Sequence, residues 1–434
     1  MLDFIGIGIG PFNLSLAALL QGKESLDYLF FEQKKTFSWH EGMLLPNTTL
    51  QVPFMADLVT MVEPTSSLSF LNYLKAQDRL FKFYFLEKLH IPRLEYNHYC
   101  QWASQQIKQL RFGAEVIRVE AQNHGFRVMV QHQGEHKTYT CKHLVFGTGT
   151  VPTLPKCLQT LAKDFPKRCF HSADFAKRMA QHRHGDTVVL GSGQSAAEVF
   201  DVLLEQQQID HELNRSFQLS WLTRTAGFFP MEYSALGLEH FTPDYTRYFY
   251  QLTQETKDLL VPNQGLFYKG ISFSTIGSIY EKLYHRTIGR QALNVVLSGL
   301  SELVDARMEQ GRIRLRFRHL QQQRHFEVST DYVVAATGYR HGLPACMQGL
   351  EPILDYDDQN RLKIDGAYQV KHHGSGKIFV QNAELHTHGI GTPDLGLGAY
   401  RAAQIANQLL GYEAFYLGQV NTFQRFGAPD DIAC

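Results

Sequence analysis

The sequence lacks an excess of charge of either sign. Lysine and arginine together number 42 of the 434 residues, aspartate and glutamate also number 42, and the formal net charge is zero. Proteins that bind nucleic acids or anionic membrane surfaces usually carry a basic excess or a basic patch. The charge balance therefore gives no indication of either partner.

Long hydrophobic runs are also missing. No stretch approaches the roughly 18 uninterrupted apolar residues that a transmembrane helix needs. The apolar N-terminal segment, residues 1–20, is broken by glycines and lacks the basic region of a secretory signal. We therefore expect a cytoplasmic protein that does not cross a membrane.

Cysteine is scarce and scattered. No two cysteines form a CxxC pair, and none belongs to a cluster with metal-ligand spacing. This distribution is typical of a chain in a reducing compartment, and it argues against a flavin disulfide reductase, which needs paired redox cysteines. The six cysteines are Cys100, Cys141, Cys157, Cys169, Cys346 and Cys434.

The rest of the composition is that of an ordinary globular protein. Hydrophobic residues make up 44% of the chain and charged residues 19%, which excludes a disordered or fibrous chain. At about 100–200 residues per domain, the length predicts two or three domains.

A glycine-rich turn follows the first predicted strand, residues 3–5. A helix-like segment at 14–20 and a second strand at 28–31 come next, and that strand ends on Glu32. In such a unit, backbone N–H groups and the helix N-terminus bind a pyrophosphate, while the terminal carboxylate accepts ribose hydroxyls and disfavours a 2′-phosphate. A tight turn without a ligand is the alternative. The turn contains Gly6, Gly8, Gly10 and Pro11, with Pro11 at the third fingerprint position.

A second unit of this kind lies in the middle of the chain. The predicted strand Thr187–Leu190 precedes the turn, and a later strand at 219–223 ends on Arg224. An arginine there offers two parallel hydrogen bonds to a 2′-phosphate, which favours NADPH over NADH; an exposed surface arginine is the alternative. The turn and the start of the next helix contain Gly191, Gly193, Gln194 and Ser195. Together the two units predict one bound FAD and one NADPH that reduces it.

Two further apolar runs, residues 143–146 and 332–336, end in small-residue turns. Such runs are typical of buried parallel strands whose ends approach a ligand. Their turns are Gly147-Thr148-Gly149 and Thr337-Gly338-Tyr339.

These elements predict an α/β fold with two Rossmann-like dinucleotide-binding domains. We assign residues 1–160 and 341–434 to the FAD-binding domain and residues 161–340 to the NADPH-binding domain. The stretch at about 225–288 is rich in phenylalanine and tyrosine. It predicts a small, mostly helical subdomain beside the substrate.

Several histidines lie close together, yet the pattern predicts no metal site. A zinc or iron site needs three or four convergent ligands, usually with carboxylates or thiolates at helical spacing. The pairs are His182 with His184, His372 with His373, and His386 with His388. None of these pairs has carboxylates or thiolates at such a spacing. No nucleophile elbow, P-loop or kinase signature occurs either, so the chemistry is assigned to the cofactors.

Motifs distributed through nearly the whole chain carry a family resemblance. They are residues 3–14 (DFIGIGIGPFNL), 37–43 (FSWHEGM), 50–54 (LQVPF), 64–66 (PTS), 70–74 (FLNYL), 147–149 (GTG), 191–195 (GSGQS), 336–339 (ATGY) and 387–389 (THG). In this order they resemble the lysine/ornithine N-hydroxylating flavin monooxygenases of siderophore biosynthesis. Residues 39–43 and 70–74 are the most specific of these segments.

The resemblance implies a reaction and a set of site residues. NADPH reduces FAD, O₂ adds to the flavin, and the resulting C4a-hydroperoxyflavin hydroxylates a neutral primary amine. Gln51 then lies near the reactive face of the flavin, and Trp39, His40 and Met43 lie along the FAD together with the turn at Thr387, His388 and Gly389. The resemblance also implies a homo-oligomer, a tetramer.

One departure from the family pattern concerns the substrate. In members that act on ornithine or lysine, a lysine five positions after the motif glutamine pairs with the α-carboxylate, and this chain has Ala56 there. A second carboxylate-binding position, an asparagine in the family, falls on Leu238. An α-carboxylate without its ion pair costs several kcal/mol. The sequence therefore predicts a diamine, putrescine or cadaverine, for hydroxamate or catecholate siderophore biosynthesis.

Alternatives stay open at this point. Lys269 is a candidate replacement for the missing lysine, which keeps L-lysine and L-ornithine as substrates, and histamine is a further one. Asp57 and Glu239 are candidate partners for the distal ammonium, although a structural role is favoured for each. A flavin monooxygenase that oxidises carbonyls or sulfur, and a nucleotide-binding regulatory protein, are the competing functional classes.

Overall fold

The computed structural model describes residues 1–23, 25–179, 185–213, 215–290 and 293–428. Its strands are β1 (Leu2–Ile7), β2 (Tyr28–Glu32), β3 (Leu110–Phe112), β4 (Ala114–Gln122), β5 (Gly125–His132), β6 (Glu135–Phe146), β7 (Val151–Pro152), β8 (Cys169–His171), β9 (Thr187–Leu190), β10 (Leu219–Leu222), β11 (Val295–Ser298), β12 (Ser301–Glu309), β13 (Arg312–His319), β14 (Arg324–Thr330), β15 (Tyr332–Ala335), β16 (Tyr339–Arg340) and β17 (Ile378–Val380).

The α-helices lie between and after these strands. They are α1 (Pro11–Leu19), α2 (Phe70–Ala76), α3 (Leu80–Leu86), α4 (Arg93–Ser104), α5 (Lys156–Asp164), α6 (Phe175–Met179), α7 (Gln194–Glu212), α8 (Ala235–Leu238), α9 (Pro243–Gln251), α10 (Gln254–Asn263), α11 (Gly265–Tyr268), α12 (Phe273–Arg286), α13 (Leu385–His388) and α14 (Gly398–Leu410). Short 3₁₀ turns occupy Glu41–Met43, Ser172–Asp174, Glu239–Phe241, Ile288–Arg290, Ala345–Ile353 and Leu395–Leu397.

The first sheet has seven strands in the order β3-β2-β1-β6-β5-β4, with β17 also paired to β6. Strands β1, β2, β3 and β17 run parallel to their neighbours, whereas β4, β5 and β6 form an antiparallel meander. Strand β6 is much longer than the predicted run at 143–146. Its first half is largely exposed and polar, so only its buried end gives a hydrophobic signal in the sequence.

The second sheet has five parallel strands in the order β11-β10-β9-β15-β8. Side chains of β9 alternate between its two faces: Val189 packs with α7 residues such as Phe200, whereas Val188 and Leu190 pack against β13 of the antiparallel β12-β13-β14 sheet. Both faces are thereby covered, which explains why β9 is hydrophobic without a break. The predicted fold class, α/β with two Rossmann-like units, is confirmed.

The connection from β10 to β11 contains helices α8 to α12, as the predicted helical subdomain requires. Tyr245 and Phe249 of α9 form a small core with Ile390. This helical region therefore contacts the C-terminal segment as well as the second sheet.

The predicted boundary at residue 160 falls inside α5. Leu158 and Leu161 of that helix pack in the core of the second sheet, so α5 belongs with that sheet. No helix among the described residues is long and apolar enough to span a membrane.

A fully buried ion pair joins the C-terminal helix to the segment before α13. Arg401 Nη1 lies 2.6 Å from Glu384 Oε1, and the two side chains are 1% and 0% exposed. Arg401 Nη2 also donates a hydrogen bond to the carbonyl of Thr392 (2.7 Å). Removing one charge from such a pair leaves the other buried without compensation.

We expect Glu384→Gln to lower the free energy of unfolding by about 3–5 kcal/mol, because Arg401 then keeps an unpaired buried charge. Urea denaturation followed by circular dichroism measures the change. Lys137→Met is the matched control, since it removes the exposed Lys137–Glu135 pair (3.8 Å) and should cost no more than about 1 kcal/mol. Equal losses in the two variants would contradict this assignment.

Candidate active site

A cleft of about 1510 Å³ opens at the carboxyl ends of the parallel strands of both sheets. This exceeds the roughly 300–1,000 Å³ of a typical small-molecule site, so the cleft has room for more than one ligand. The predicted site residues that line it are Gly8, Gly10, Pro11, Glu32, Trp39, His40, Gln51, Gly191, Gly193, Gln194, Ser195, Arg224, Lys269, Thr337, Gly338 and Tyr339.

The first glycine turn brings two backbone segments into contact at the cleft floor. Gly8 has φ +84°, and a Cβ carbon there would lie 2.7 Å from the carbonyl oxygen of Gly147. Helix α1 begins at Pro11 with Gly10 as its N-cap, and no side chain caps it. Its free N–H groups and positive dipole end therefore fit the pyrophosphate of a dinucleotide.

Glu32 lies beside this turn, at the end of β2. Its Oε2 accepts a hydrogen bond from the Ile9 N–H (2.8 Å), and its Oε1 accepts one from the Lys34 N–H (2.9 Å). The carboxylate is held at the cleft wall, where it suits the ribose hydroxyls of a nucleotide bound to the turn.

The second glycine turn repeats this arrangement at the end of β9. Gly191 has φ +134°, and a Cβ carbon there would lie 2.2 Å from the carbonyl oxygen of Ala336. Helix α7 follows with Gly193 as an N-cap that no side chain assists. Arg224, just beyond β10, lines the cleft and is exposed, as a partner for a 2′-phosphate must be.

Gln51 lies where the two halves of the cleft meet. Its Nε2 lies 3.4 Å from Gln194 Oε1, 2.9 Å from Met231 Sδ and 3.4 Å from Ser272 Oγ. Its main-chain carbonyl accepts a hydrogen bond from the Tyr233 hydroxyl (2.8 Å). The Gln51 side chain thus contacts groups from the second sheet and the helical region.

Seven predicted site residues do not line the cleft: Gly6, Met43, Ala56, Leu238, Thr387, His388 and Gly389. A Cβ carbon on Gly6 would overlap the ring of Phe30 on β2, so this glycine serves packing between strands. Met43 is buried with Phe170 in the core of the second sheet. Leu238 is 38% exposed on α8.

His388 lies behind the cleft wall, in the short helix α13 where the sequence predicts a turn. Its ring stacks on Tyr368 with centroids 4.3 Å apart, and its Nδ1 lies 2.8 Å from Thr387 Oγ1. Burial lowers the pKa of His388 to about 3, and the Arg401 guanidinium contributes in the same direction. The ring is therefore neutral, and Gln381, Asn382 and Leu385 supply the cleft wall at this point.

Asp57 and Glu239 both serve as local anchors. Asp57 accepts hydrogen bonds from the N–H groups of Val59, Thr60 and Phe70. Glu239 accepts hydrogen bonds from the N–H groups of Phe423 and Gln424. Their carboxylate oxygens are occupied by the backbone, which supports the structural role favoured from the sequence.

Lys269 lies against the second glycine turn. Its carbonyl oxygen would be 3.2 Å from a Cβ carbon on Gly193, and its ammonium group is 4.9 Å from the centroid of the Tyr268 ring. This places it beside the second glycine turn, where the sequence predicts a pyrophosphate.

Asp394 is a candidate that the sequence does not indicate. It is half-buried between Pro393 and Leu395, which line the cleft, whereas Asp394 itself, like Ala56, is not part of the lining. A Cβ carbon on Gly396 would lie 2.7 Å from Asp394 Oδ1 and 4.0 Å from Ala56 Cβ, so the carboxylate and Ala56 both lie next to Gly396. Oδ1 accepts the Gly396 N–H (2.6 Å), and enclosure by protein raises the Asp394 pKa to about 6.

Among the described residues, no three histidine, cysteine or carboxylate side chains converge as a metal site requires. His182 and His184 lie outside those residues.

Comparisons with known proteins identify the family. The model of the L-lysine 6-monooxygenase/L-ornithine 5-monooxygenase family matches residues 1–341. The chain belongs to this family. The rhizobactin siderophore biosynthesis protein RhbE of Rhizobium meliloti is 46% identical over 438 residues, which cover 98% of this chain and 95% of that protein. The resemblance drawn from the motifs is confirmed, and the protein is an N-hydroxylating flavin monooxygenase of siderophore biosynthesis.

Two further relatives are named for their substrates. A putrescine N-hydroxylase of Shewanella oneidensis is 41% identical over 441 residues, covering 99% of this chain and 85% of that protein. The crystal structure of a desferrioxamine-pathway cadaverine monooxygenase from Erwinia amylovora, bound to FAD, superimposes with a TM-score of 0.93. It is 37% identical, and the match covers 100% of both chains.

We expect Gly8→Ala to abolish retention of flavin during purification, because the added methyl group meets the Gly147 carbonyl and closes the turn. The measurement is the flavin-to-protein absorbance ratio, followed by reconstitution with FAD. Gly22→Ala is the matched control, since Gly22 has a similar φ of +79° but nothing within 4 Å of an added Cβ carbon. Normal flavin content in Gly8→Ala would exclude this turn as the FAD site.

Proposed function

We propose that this family member hydroxylates one primary amine of an aliphatic diamine, putrescine or cadaverine, with FAD and NADPH as cofactors. The observation that carries the choice of substrate is a carboxylate near Ala56: Asp394 and Ala56 both lie next to Gly396, and the family resemblance implies a lysine at position 56 in members that act on amino acids.

The two turns divide the cofactors between them. Gly8, Gly10 and the N-terminus of α1 hold the FAD pyrophosphate, and Glu32 holds its ribose. Gly191 and the N-terminus of α7 hold the NADPH pyrophosphate. When bound, NADPH supplies reducing equivalents and the flavin activates O₂.

Two further residues of the second unit serve the nicotinamide cofactor. Arg224 is assigned to the 2′-phosphate of NADPH, and Lys269 adds positive charge beside the second turn.

Gln51 and the aromatic wall occupy the space between the cofactor sites. The edge of the Trp39 ring meets His40 (centroids 4.7 Å apart), and His40 meets Tyr339 from the other half (6.0 Å). These groups restrict water around the reacting centre, and the Gln51 amide is assigned to the reactive face of the flavin.

Electrostatics near Ala56 favour a diamine. A diamine with one neutral amine still carries an ammonium at its other end, and Asp394 offers a carboxylate for it. Among the described residues, no lysine, arginine or histidine lies within ion-pair distance of Asp394. The N–H groups of Gly396 and Leu397 stabilise its ionised form, so a substrate ammonium would share the carboxylate with this backbone segment. An α-carboxylate in this space would meet a like charge, which costs several kcal/mol. The names of the Shewanella and Erwinia relatives support the same substrate class.

The reacting amine must be neutral, because an ammonium has no lone pair to accept oxygen. When the protein pairs only with the distal ammonium, no carboxylate stabilises the protonated form of the reacting amine. The reacting amine can then lose its proton.

The same reaction on L-lysine, L-ornithine or histamine is the alternative. For the amino acids it is favoured by Lys269, an exposed cation on the cleft wall.

A panel of amines tests the proposal. The FAD-loaded enzyme is incubated with NADPH, O₂ and putrescine, cadaverine, L-lysine, L-ornithine or histamine, and products are identified by mass while NADPH consumption is recorded. We expect a diamine product with one added oxygen atom, formed in close proportion to the NADPH used. Hydroxylated lysine or ornithine in excess over hydroxylated diamine would overturn the substrate assignment, and no hydroxylamine from any amine would overturn the reaction.

We expect Asp394→Asn to raise KM for putrescine by about 10–100-fold, since the ammonium loses its ionic partner, with KM for NADPH unchanged. Ala56→Lys should shift the ratio of products toward lysine. Steady-state rates of hydroxylamine formation measure both effects. Asp358→Asn, on an exposed turn, is the control and should behave as wild type. An unchanged KM for putrescine in Asp394→Asn would remove Asp394 from the substrate site.

A further inference from the structure

A buried ion pair near the cleft joins the two halves of the molecule, of which the first contains the seven-stranded sheet and the second contains the five-stranded sheet. Arg93 is the first residue of α4, and Glu198 lies one turn into α7. Arg93 Nη1 donates to Glu198 Oε2 and Nη2 donates to Oε1, each over 2.7 Å. The two side chains are 11% and 3% exposed.

Such a pair contributes little net stability in general, because the cost of removing both charges from water offsets their attraction. Burial raises the pKa of Glu198, and the Arg93 guanidinium opposes that rise. A bidentate arginine–carboxylate contact does, however, fix distance and orientation more tightly than apolar packing. The Arg93–Glu198 pair therefore contributes mainly by fixing the position of α4 relative to α7.

One glutamine connects the Arg93–Glu198 pair to the site by hydrogen bonds. Gln194 Nε2 donates to Glu198 Oε1 (2.8 Å) and to Thr275 Oγ1 (3.1 Å). This sets the orientation of the amide, so that its Oε1 accepts the Ser272 N–H (2.7 Å) and faces Gln51 Nε2 at 3.4 Å. The chain of contacts runs from Arg93 through Glu198 and Gln194 to Gln51.

Arg93 also acts electrostatically on the aromatic wall. The His40 ring is open to the cleft but surrounded by its walls, which lowers the His40 pKa to about 4, and the Arg93 guanidinium contributes to this shift. Arg93 is anchored to the first half by a backbone hydrogen bond from its N–H to the carbonyl of Thr48 (3.0 Å). A movement of the Arg93 guanidinium would therefore affect groups on both sides of the cleft.

We propose that Arg93 and Glu198 are positioning residues that hold the two nucleotide-binding halves in register and orient Gln51 through Gln194. Neither residue lines the cleft. The role of Gln51 rests on the proposed function, whereas the register of the two halves does not. Loss of the pair should let the reduced cofactor react with O₂ without transferring oxygen to the amine, so that NADPH oxidation yields hydrogen peroxide.

The test compares Glu198→Gln, Arg93→Lys and the double variant Arg93→Met/Glu198→Met with wild type. Product formed per NADPH consumed is measured in the FAD-loaded enzyme, and hydrogen exchange of residues 46–54 and 190–198 is measured with and without FAD. Glu198→Gln should lower product per NADPH by about threefold to tenfold and speed exchange in both segments. Arg93→Lys, which keeps the charge but loses the fork, should give an intermediate loss.

The double variant separates positioning from stability. Apolar replacement of both charges should restore the melting temperature while the loss of coupling persists. Lys282→Met is the control: it removes a pair with Asp201 on the same helix α7, within the second half (2.8 Å), and should leave product per NADPH unchanged.

Two results would overturn the proposal: wild-type coupling and exchange in Glu198→Gln, or recovery of coupling together with stability in the double variant. If Glu198→Gln does not fold, Arg93→Lys and the double variant decide. A wild-type enzyme that makes no hydroxylamine would refute the proposed function, while the exchange measurements would still test the register of the two halves.

Discussion

Close contact between backbone segments at the strand ends is the constraint on which the site depends. At Gly8 the turn after β1 approaches the Gly147 carbonyl, and at Gly191 the turn after β9 approaches that of Ala336. Both turns have backbone conformations that a side chain disfavours, and neither leaves room for one. Each turn thereby presents the uncapped N-terminus of a helix to the same cleft. Two anion-binding ends that face one space are what a reaction between two dinucleotides requires.

Local features of this kind were predictable because they are encoded by neighbouring residues. Strand β1, its glycine turn and α1 follow one another without interruption, and the same holds for β9 and α7. Residues such as Met43 and His388 were misplaced relative to the cleft, since a motif fixes where the backbone runs but not toward which core a side chain turns. Met43 points into the second core, and His388 stacks on Tyr368 behind the wall.

Contacts between distant segments gave no sequence signal. Asp394 stands in an irregular stretch without periodicity, and only the folded chain brings it to the space beside Ala56. Arg93 and Glu198 have no distinctive sequence context, and they pair because α4 and α7 come together in the fold. In both cases the informative quantity is a charge and its nearest neighbours, which depend on tertiary structure. The absence of a lysine at position 56 was visible in the sequence, but the nearby carboxylate on which the proposed substrate depends was not.

The two charged arrangements place opposite physical demands on the protein. In the role proposed for it, Asp394 must keep carboxylate capacity for a substrate ammonium; it is half-buried, and its Oδ1 caps a short 3₁₀ turn. A pair that sets geometry gains from exclusion of water, because the fork between Arg93 and Glu198 then has no competing partners. The partial burial of Asp394 and the burial of the Arg93–Glu198 pair agree with these two proposed roles. In the two proposals, recognition of the amine tolerates some motion at its distal end, whereas oxygen transfer requires the two halves to be held closely around Gln51.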